Sequence, residues 1–300
     1  AVLNQARRIN SEYRGYDASF RDPLQRIKIV ASMQDIKVAP MNIERQQGEQ
    51  RDAVLIPTTS GKQILYNPKC SKQRVAFSIA HEISHTFFPN SICGARFRNI
   101  HESESKEANE LERLCDLGAA EILMPIEDFQ SAAAQNYSLG NVASLAGMFG
   151  SSFEATVFRL ATAHPGKAAA GLLKFRLSLP EQRQLEKEAN QRQLFASIRK
   201  GKFGETRAKY RRQSLHLSQQ CDESYIIRWN KSFDPDSAVY RAGVGKPSST
   251  IEELPNESGK LGKLEAVVAP YQREDAHAEF GDVLFFWQET GMLGQDSRAA

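Results

Sequence analysis

Apolar residues recur at helical spacing through the first 35 positions, at Val2, Ala6 and Ile9 and then at Leu24, Ile27 and Val30, with Pro23 opening the second run. The pattern then changes period. In DAVLIPTTSGKQILYNP two β-rich runs, 54–56 and 63–66, flank a Thr-Ser-Gly turn, which predicts a hairpin whose Pro57 belongs on an edge strand. From 72 to 88 the helical period returns, with Val75, Ile79, Ile83 and Phe87 four apart and Pro89 as the stop. A polar stretch follows. Another helix is predicted from about 104 to 123, ending in Met124-Pro125, and two short helices over 141–163 joined at Gly150-Ser-Ser.

The later chain reads differently. Residues 183–212 carry ten Lys or Arg against three Asp or Glu and few large apolar side chains, which predicts a solvated helical linker. From 222 onward the runs YIIRW, AVYRAGVG, LEAVVAPY and DVLFFWQ read as short strands between Gly, Pro and Asn, with twelve acidic residues against seven basic over 222–282. That shift predicts a separate C-terminal α/β domain.

A chain of 300 residues with 41% hydrophobic and 25% charged residues has the composition of a globular protein. It contains no apolar run long enough for a membrane span or a secretory signal, so no membrane partner and a cytoplasmic address are expected. Cys70, Cys93, Cys115 and Cys221 are scattered without CxxC pairing, which argues against a disulfide scaffold and a thiolate metal site. A net charge of +3 points to no particular partner.

The chemistry concentrates in His81-Glu82-Ile83-Ser84-His85, an HExxH run on the helix predicted over 72–88. Histidines at i and i+4 share one helix face, so their rings can converge on one cation, and the spacing suits zinc. The apolar stripe of Val75, Ile79 and Ile83 lies on the opposite side, leaving the histidines turned to a cleft. Glu82 stands where a carboxylate can take a proton from an attacking water.

A catalytic zinc needs a third protein ligand. The three-histidine pattern HExxHxxGxxH is ruled out by Phe88 and Ser91. His101 and the acids of the next helix are the candidates. Glu112 is preferred, because Asp116 four residues on can hydrogen-bond a ligating histidine; Glu107 and Glu110 lack such an Asp, and His101 sits in a polar, Ser-rich stretch.

RVAFSIAHEISHTFFP followed by ERLCDLGAAEILMP resembles the ImmA/IrrE family of zinc metallopeptidases, whose helices typically read R-x-x-x-AHE-x-GH and E-x-x-A-[ND]-x-FA-x-x-LLMP. The resemblance covers about residues 50–165. It implies His81, His85 and Glu112 as zinc ligands and Glu82 as general base. Ser84, Cys115 and Gly118 depart from the usual Gly, Ala and Phe, and a glycine inside a helix costs up to about 1 kcal/mol.

The fold expected on this basis is α+β. It comprises a zincin-like metallopeptidase core over 1–128, a helix-turn-helix-like helical module over 129–182, a basic helical linker over 183–215, and a C-terminal GAF-like or other α/β sensor-like domain over 216–290. In the helical module Phe153, Val157 and Leu160 would form the core, and Ser152, Glu154, Thr156 and Arg159 would face out. That outward face is poor in base-reading groups, and the basic stretch interleaves only Phe195, Phe203 and Tyr210, so DNA binding is not favoured.

The resemblance implies a zinc-dependent, site-specific endopeptidase acting on a protein, a helix-turn-helix transcriptional repressor cut in a stress or phage response. The exposed hairpin edge at 54–66 can hold a substrate as an added strand. The alternative is a non-catalytic DNA-binding regulator with a structural or degenerate zinc site. Glu82 argues against it, since a structural site needs no carboxylate between its histidines.

Overall fold

The structure, a computed structural model, describes residues 1–16, 22–41, 52–59, 61–88, 106–134, 136–178, 180–183, 187, 208–270 and 280–290. Among the described residues, helices and two sheets make a mixed α+β protein, and the chain divides into two compact units, Ala1–Asn136 with Asn141–Arg159, and Tyr137–Gly140 with Leu160–Ala300.

In the first unit α1 (Val2–Tyr16) and α2 (Pro23–Met33) bury Ala6, Ile9, Ile27 and Val30, the residues that set their helical period. The Asp22 carboxylate accepts the N–H groups of Leu24 and Gln25, capping α2 ahead of Pro23. Strands β1 (Ile36–Pro40), β2 (Ala53–Thr58) and β3 (Gly61–Tyr66) form a sheet in the order β1-β3-β2. β2 and β3 are the antiparallel hairpin, with Thr58 opposite Gly61, and β2 is an edge strand carrying Pro57. β1, parallel to β3, has no forerunner in the sequence reading. IKVAP is short and directly follows a helix, so its pattern merges with the helical one.

Helices α3 (Lys72–His85) and α4 (Lys106–Leu123) pack together, with α3 lying on β2 and β3. Ser71 caps α3 by accepting the Arg74 N–H, and Val75, Ile79 and Ile83 bury completely or nearly so. α3 ends at His85, three residues before the expected Phe88, because the Thr86 hydroxyl and N–H both bond the Ile83 carbonyl. Pro89 and the polar stretch after it lie outside the described residues.

α5 (Ile126–Ala133), α6 (Val142–Phe149) and α7 (Phe153–Thr162) follow. Gly150 closes α6 at φ 62°, a left-handed cap that favours glycine, and a Cβ there would also strike the Pro23 ring. The expected outward face of α7 is corrected in two places. Thr156 is fully buried and bonded to Ser151, and Arg159 is 8% exposed, donating to the Glu121 carboxylate and the Met124 carbonyl. With Arg26 donating to the Ile122 and Leu123 carbonyls, two guanidiniums satisfy the end of α4, where carbonyls lack helical partners.

The second unit is built on an antiparallel sheet of β4 (Ala168–Arg176), β5 (Lys209–Arg212), β6 (His216–Leu217), β7 (Ser248–Glu253), β8 (Leu261–Val268) and β9 (Val283–Glu289), in the order β5-β4-β9-β8-β7 with β6 also on β4. α8 (Ala238–Gly243) packs on β8, and Tyr210, Phe285 and Trp287 are buried in the core. Several expectations need correcting here. β4 falls within the stretch read as helical over 129–182, because a central strand buried on both faces reads AAAGLL, without alternation. β5 falls within the stretch read as a solvated helix over 183–215, yet Tyr210 and Arg211 are buried, Arg211 through bonds to Glu181 and the Asn230 carbonyl. AVYRAG is helix, its buried Ala238, Val239, Ala242 and Gly243 showing helical spacing, and YIIRW is not a strand.

Candidate metal centre

The facing surfaces of α3 and α4 carry the site. On α3 the burial of Ile79 and Ile83 turns His81 and His85 to the other side and leaves Glu82 on the flank, all three half-buried. On α4 the i, i+3, i+4 relation brings Glu112, Cys115 and Asp116 to one face.

His81 Nε2 lies 3.2 Å from Glu112 Oε2 and 3.1 Å from His85 Nε2, and His85 Nε2 lies 3.9 Å from the same carboxylate oxygen. One donor atom from each of the three residues falls within 4.8 Å of the others. Among the described residues this is the grouping of His, Cys, Asp or Glu compact enough to hold a metal ion. Two imidazole nitrogens and one carboxylate oxygen form a donor set that zinc accepts. Asp116 Oδ1 lies 2.9 Å from His81 Nδ1, and Cys115 Sγ 3.4 Å from His85 Nδ1. Sequence reasoning placed the first of these contacts and missed the second, because a lone cysteine between Leu114 and Asp116 carries no pattern.

The electrostatics follow from these contacts. Burial works against a charged His81, yet hydrogen bonds to Asp116 and Glu112 outweigh it and push the imidazole up to about 9. Burial and the carboxylates of Glu112, Asp116 and Glu82 push the Cys115 thiol up to about 12, so it stays protonated.

Glu82 points elsewhere. Its Oε2 accepts the backbone N–H of Leu55, at 3.0 Å, on strand β2. The base candidate is thus tied to the sheet edge beside the cluster. His101 lies outside the described residues, as do Phe195, Phe203 and the Glu107 side chain. Glu110 is exposed and paired with Arg113.

The Ser84 and Gly118 departures belong together. A Cβ on Gly118 would sit 2.6 Å from Ser84 Oγ and 3.0 Å from Val2 Cγ1, so the glycine is what lets α4 approach α3 this closely with a serine at 84. Ser84 is fully buried and donates to the Ala80 carbonyl, which satisfies its hydroxyl.

No described helix is long and apolar enough to cross a membrane. No curated protein matches the chain significantly. Among solved structures it is similar to a Mycobacterium tuberculosis transcriptional regulator, with a TM-score of 0.58 at 13% identity, over 95% of this chain and 74% of that one. At that identity the likeness is one of fold. Residues 31–161, which hold β1 to β3, all of α3 and α4 and every residue of the cluster, match the family model of the IrrE N-terminal-like domain, Peptidase_M78.

Proposed function

We propose that the chain is a zinc-dependent endopeptidase with a zincin-like core. The observation that carries the reading is the convergence of His81, His85 and Glu112, with Glu82 beside them on the same helix. His81, His85 and Glu112 would hold the ion through Nε2, Nε2 and a carboxylate oxygen. Bound there, zinc supplies Lewis acidity, acidifying an attacking water and polarising a scissile carbonyl.

The remaining work falls to this chain's own side chains. Asp116 accepts the His81 Nδ1 proton and so keeps the Nε2 lone pair turned to the cluster. Glu82 takes the proton of the water and returns it to the leaving amine nitrogen. The outer edge of β2, whose Leu55 amide is taken by Glu82 and whose Pro57 has no N–H, receives an extended substrate chiefly through its carbonyl groups. The substrate we favour is a protein, a helix-turn-helix transcriptional repressor cut in a stress or phage response. In this reading α6 and α7 form a helix-turn-helix-like module, and the second unit a GAF-like sensor domain.

The competing reading is a DNA-binding regulator with a structural zinc. The burial of Arg159 takes a cation away from base contact on α7, and Glu82 has no use in a structural site. Metal analysis of the purified full chain, joined to incubation with a co-encoded repressor, tests the proposal. We expect one zinc per chain, lost in His85→Ala and in Glu112→Ala and kept in His101→Ala. Zinc retained by His85→Ala, or lost only on changing His101, would overturn the ligand set.

A further inference from the structure

The two imidazoles of the cluster are backed by different chemistry. His81 Nδ1 meets a carboxylate oxygen of Asp116 at 2.9 Å, whereas His85 Nδ1 meets the Cys115 sulfur at 3.4 Å. Cys115 is wholly buried and stands directly before Asp116 on α4, so one turn of helix presents a partner to the outer nitrogen of each ring. The inner nitrogens, both Nε2, lie 3.1 Å apart and face Glu112.

A neutral imidazole offers a lone pair at one nitrogen only when its proton sits on the other. For both Nε2 atoms to serve one cation, both protons must therefore be at Nδ1. Asp116 is placed to accept that proton at His81. At His85 a sulfur stands in the corresponding position, at a distance suited to an N–H···S bond and with weaker accepting power than a carboxylate.

We infer that Cys115 is a positioning residue for His85. Its sulfur accepts the Nδ1 proton, fixes the tautomer that turns Nε2 to the cluster, and holds that ring less firmly than Asp116 holds His81. The inference rests on the reading of His81, His85 and Glu112 as ligands. Partners behind a ligating histidine typically contribute about 10–100-fold in metal affinity.

The test uses the full chain with ¹⁵N-labelled histidine. Long-range ¹H–¹⁵N spectra of the metal-free protein report the His85 tautomer, and competition with a chromophoric chelator reports zinc affinity. We expect wild-type His85 as the Nδ1–H form. Cys115→Ala should mix the tautomers and weaken zinc binding about 10-fold or more. Cys115→Ser, which restores an acceptor, should keep the Nδ1–H form and at least the wild-type affinity. Cys115→Val, which fills the space without a comparable acceptor, stands in where the alanine variant does not fold. A wild-type ring in the Nε2–H form overturns the inference, as does an alanine variant with wild-type tautomer and affinity. Equal loss of affinity in Cys115→Ala and Cys115→Ser with an unchanged tautomer also overturns it, leaving packing as the role. Zinc that survives His85→Ala defeats the ligand reading instead, and the tautomer of the metal-free ring still decides the Cys115 contact.

Discussion

The Glu82 carboxylate accepts the backbone N–H of Leu55, joining the helix of the two histidines to the edge strand β2. In the β2–β3 hairpin the residues that bond across the ladder alternate, and Thr58 opposite Gly61 next to the turn puts Leu55 in the outward phase. Its amide is thus available to a group beyond the sheet, and Glu82 uses it. This bond fixes where the carboxylate sits.

Glu82→Gln should keep fold and zinc while losing cleavage, since the amide oxygen can still accept the Leu55 N–H but cannot take a proton from water. Loss of a general base costs about 10²–10⁴-fold. Metal content beside a cleavage assay checks it: normal turnover would remove Glu82 from the mechanism, and loss of zinc would make it a ligand.

Leu55→Pro isolates the anchoring bond. β2 already accommodates Pro57 two residues on, in the same outward phase, so the strand should survive a second proline. A hydrogen bond to a charged group contributes about 1.5–3 kcal/mol, so cleavage should fall about 10–100-fold with circular dichroism and zinc content unchanged. Unchanged activity in the folded variant would mean that the Leu55 contact does not prepare the base.

Much of this arrangement is legible in the sequence because it is local. The HExxH spacing and the phase of Ile79 and Ile83 determine which side of α3 carries the histidines, and the Glu112–Asp116 interval determines which face of α4 meets them. The Leu55 contact is not legible, because the residues it joins are 27 positions apart and a backbone amide has no signature. Arg159 misled for a similar reason. A charged residue on a short helix reads as solvent-facing until its partner, Glu121, 38 positions away, is known. β4 and β5 were hidden by burial on both faces and by a basic composition.

The raised pKa of His81 sets a pH dependence. Burial opposes its charge, but Asp116 and Glu112 raise it from 6.5 to about 9. A folded value above the unfolded one stabilises the metal-free protein fully below the unfolded pKa, and that contribution is lost as pH rises through about 9. Zinc must displace the Nε2 proton, so affinity should rise from neutral pH toward 9, with release of about one proton near pH 7. Calorimetric titration in buffers of different ionisation enthalpy measures this directly. Uptake of zinc without proton release would contradict a charged His81.

The Ser84–Gly118 contact predicts a compensating pair. Gly118→Ala places a methyl against Ser84 and Val2, so α4 must move from α3, at a cost of about 1–3 kcal/mol for overpacking and with weaker zinc binding. Ser84→Gly in the same chain removes the hydroxymethyl group and should recover part of both losses. A double-mutant cycle on chemical denaturation and zinc affinity tests it. Additive effects would show that the two positions do not set the helix spacing.

Where the chain can be cut follows from the strand order of the second unit. β4 lies between β5 and β9, so a fragment ending near residue 215 keeps β4 and β5 but loses β7, β8 and β9. It leaves the Ala168–Arg176 strand without its principal partner, exposing an apolar sheet edge of the kind that aggregates. A fragment ending at Ala163 stops just beyond α7, omits that sheet altogether, and retains α3, α4 and all six residues discussed as ligands, base and ring partners. We expect the shorter fragment to remain monodisperse and to bind one zinc per chain, and the longer one to aggregate. Size-exclusion chromatography with metal analysis distinguishes them. A folded 1–163 fragment that binds no zinc would show that the second unit is needed to complete the site.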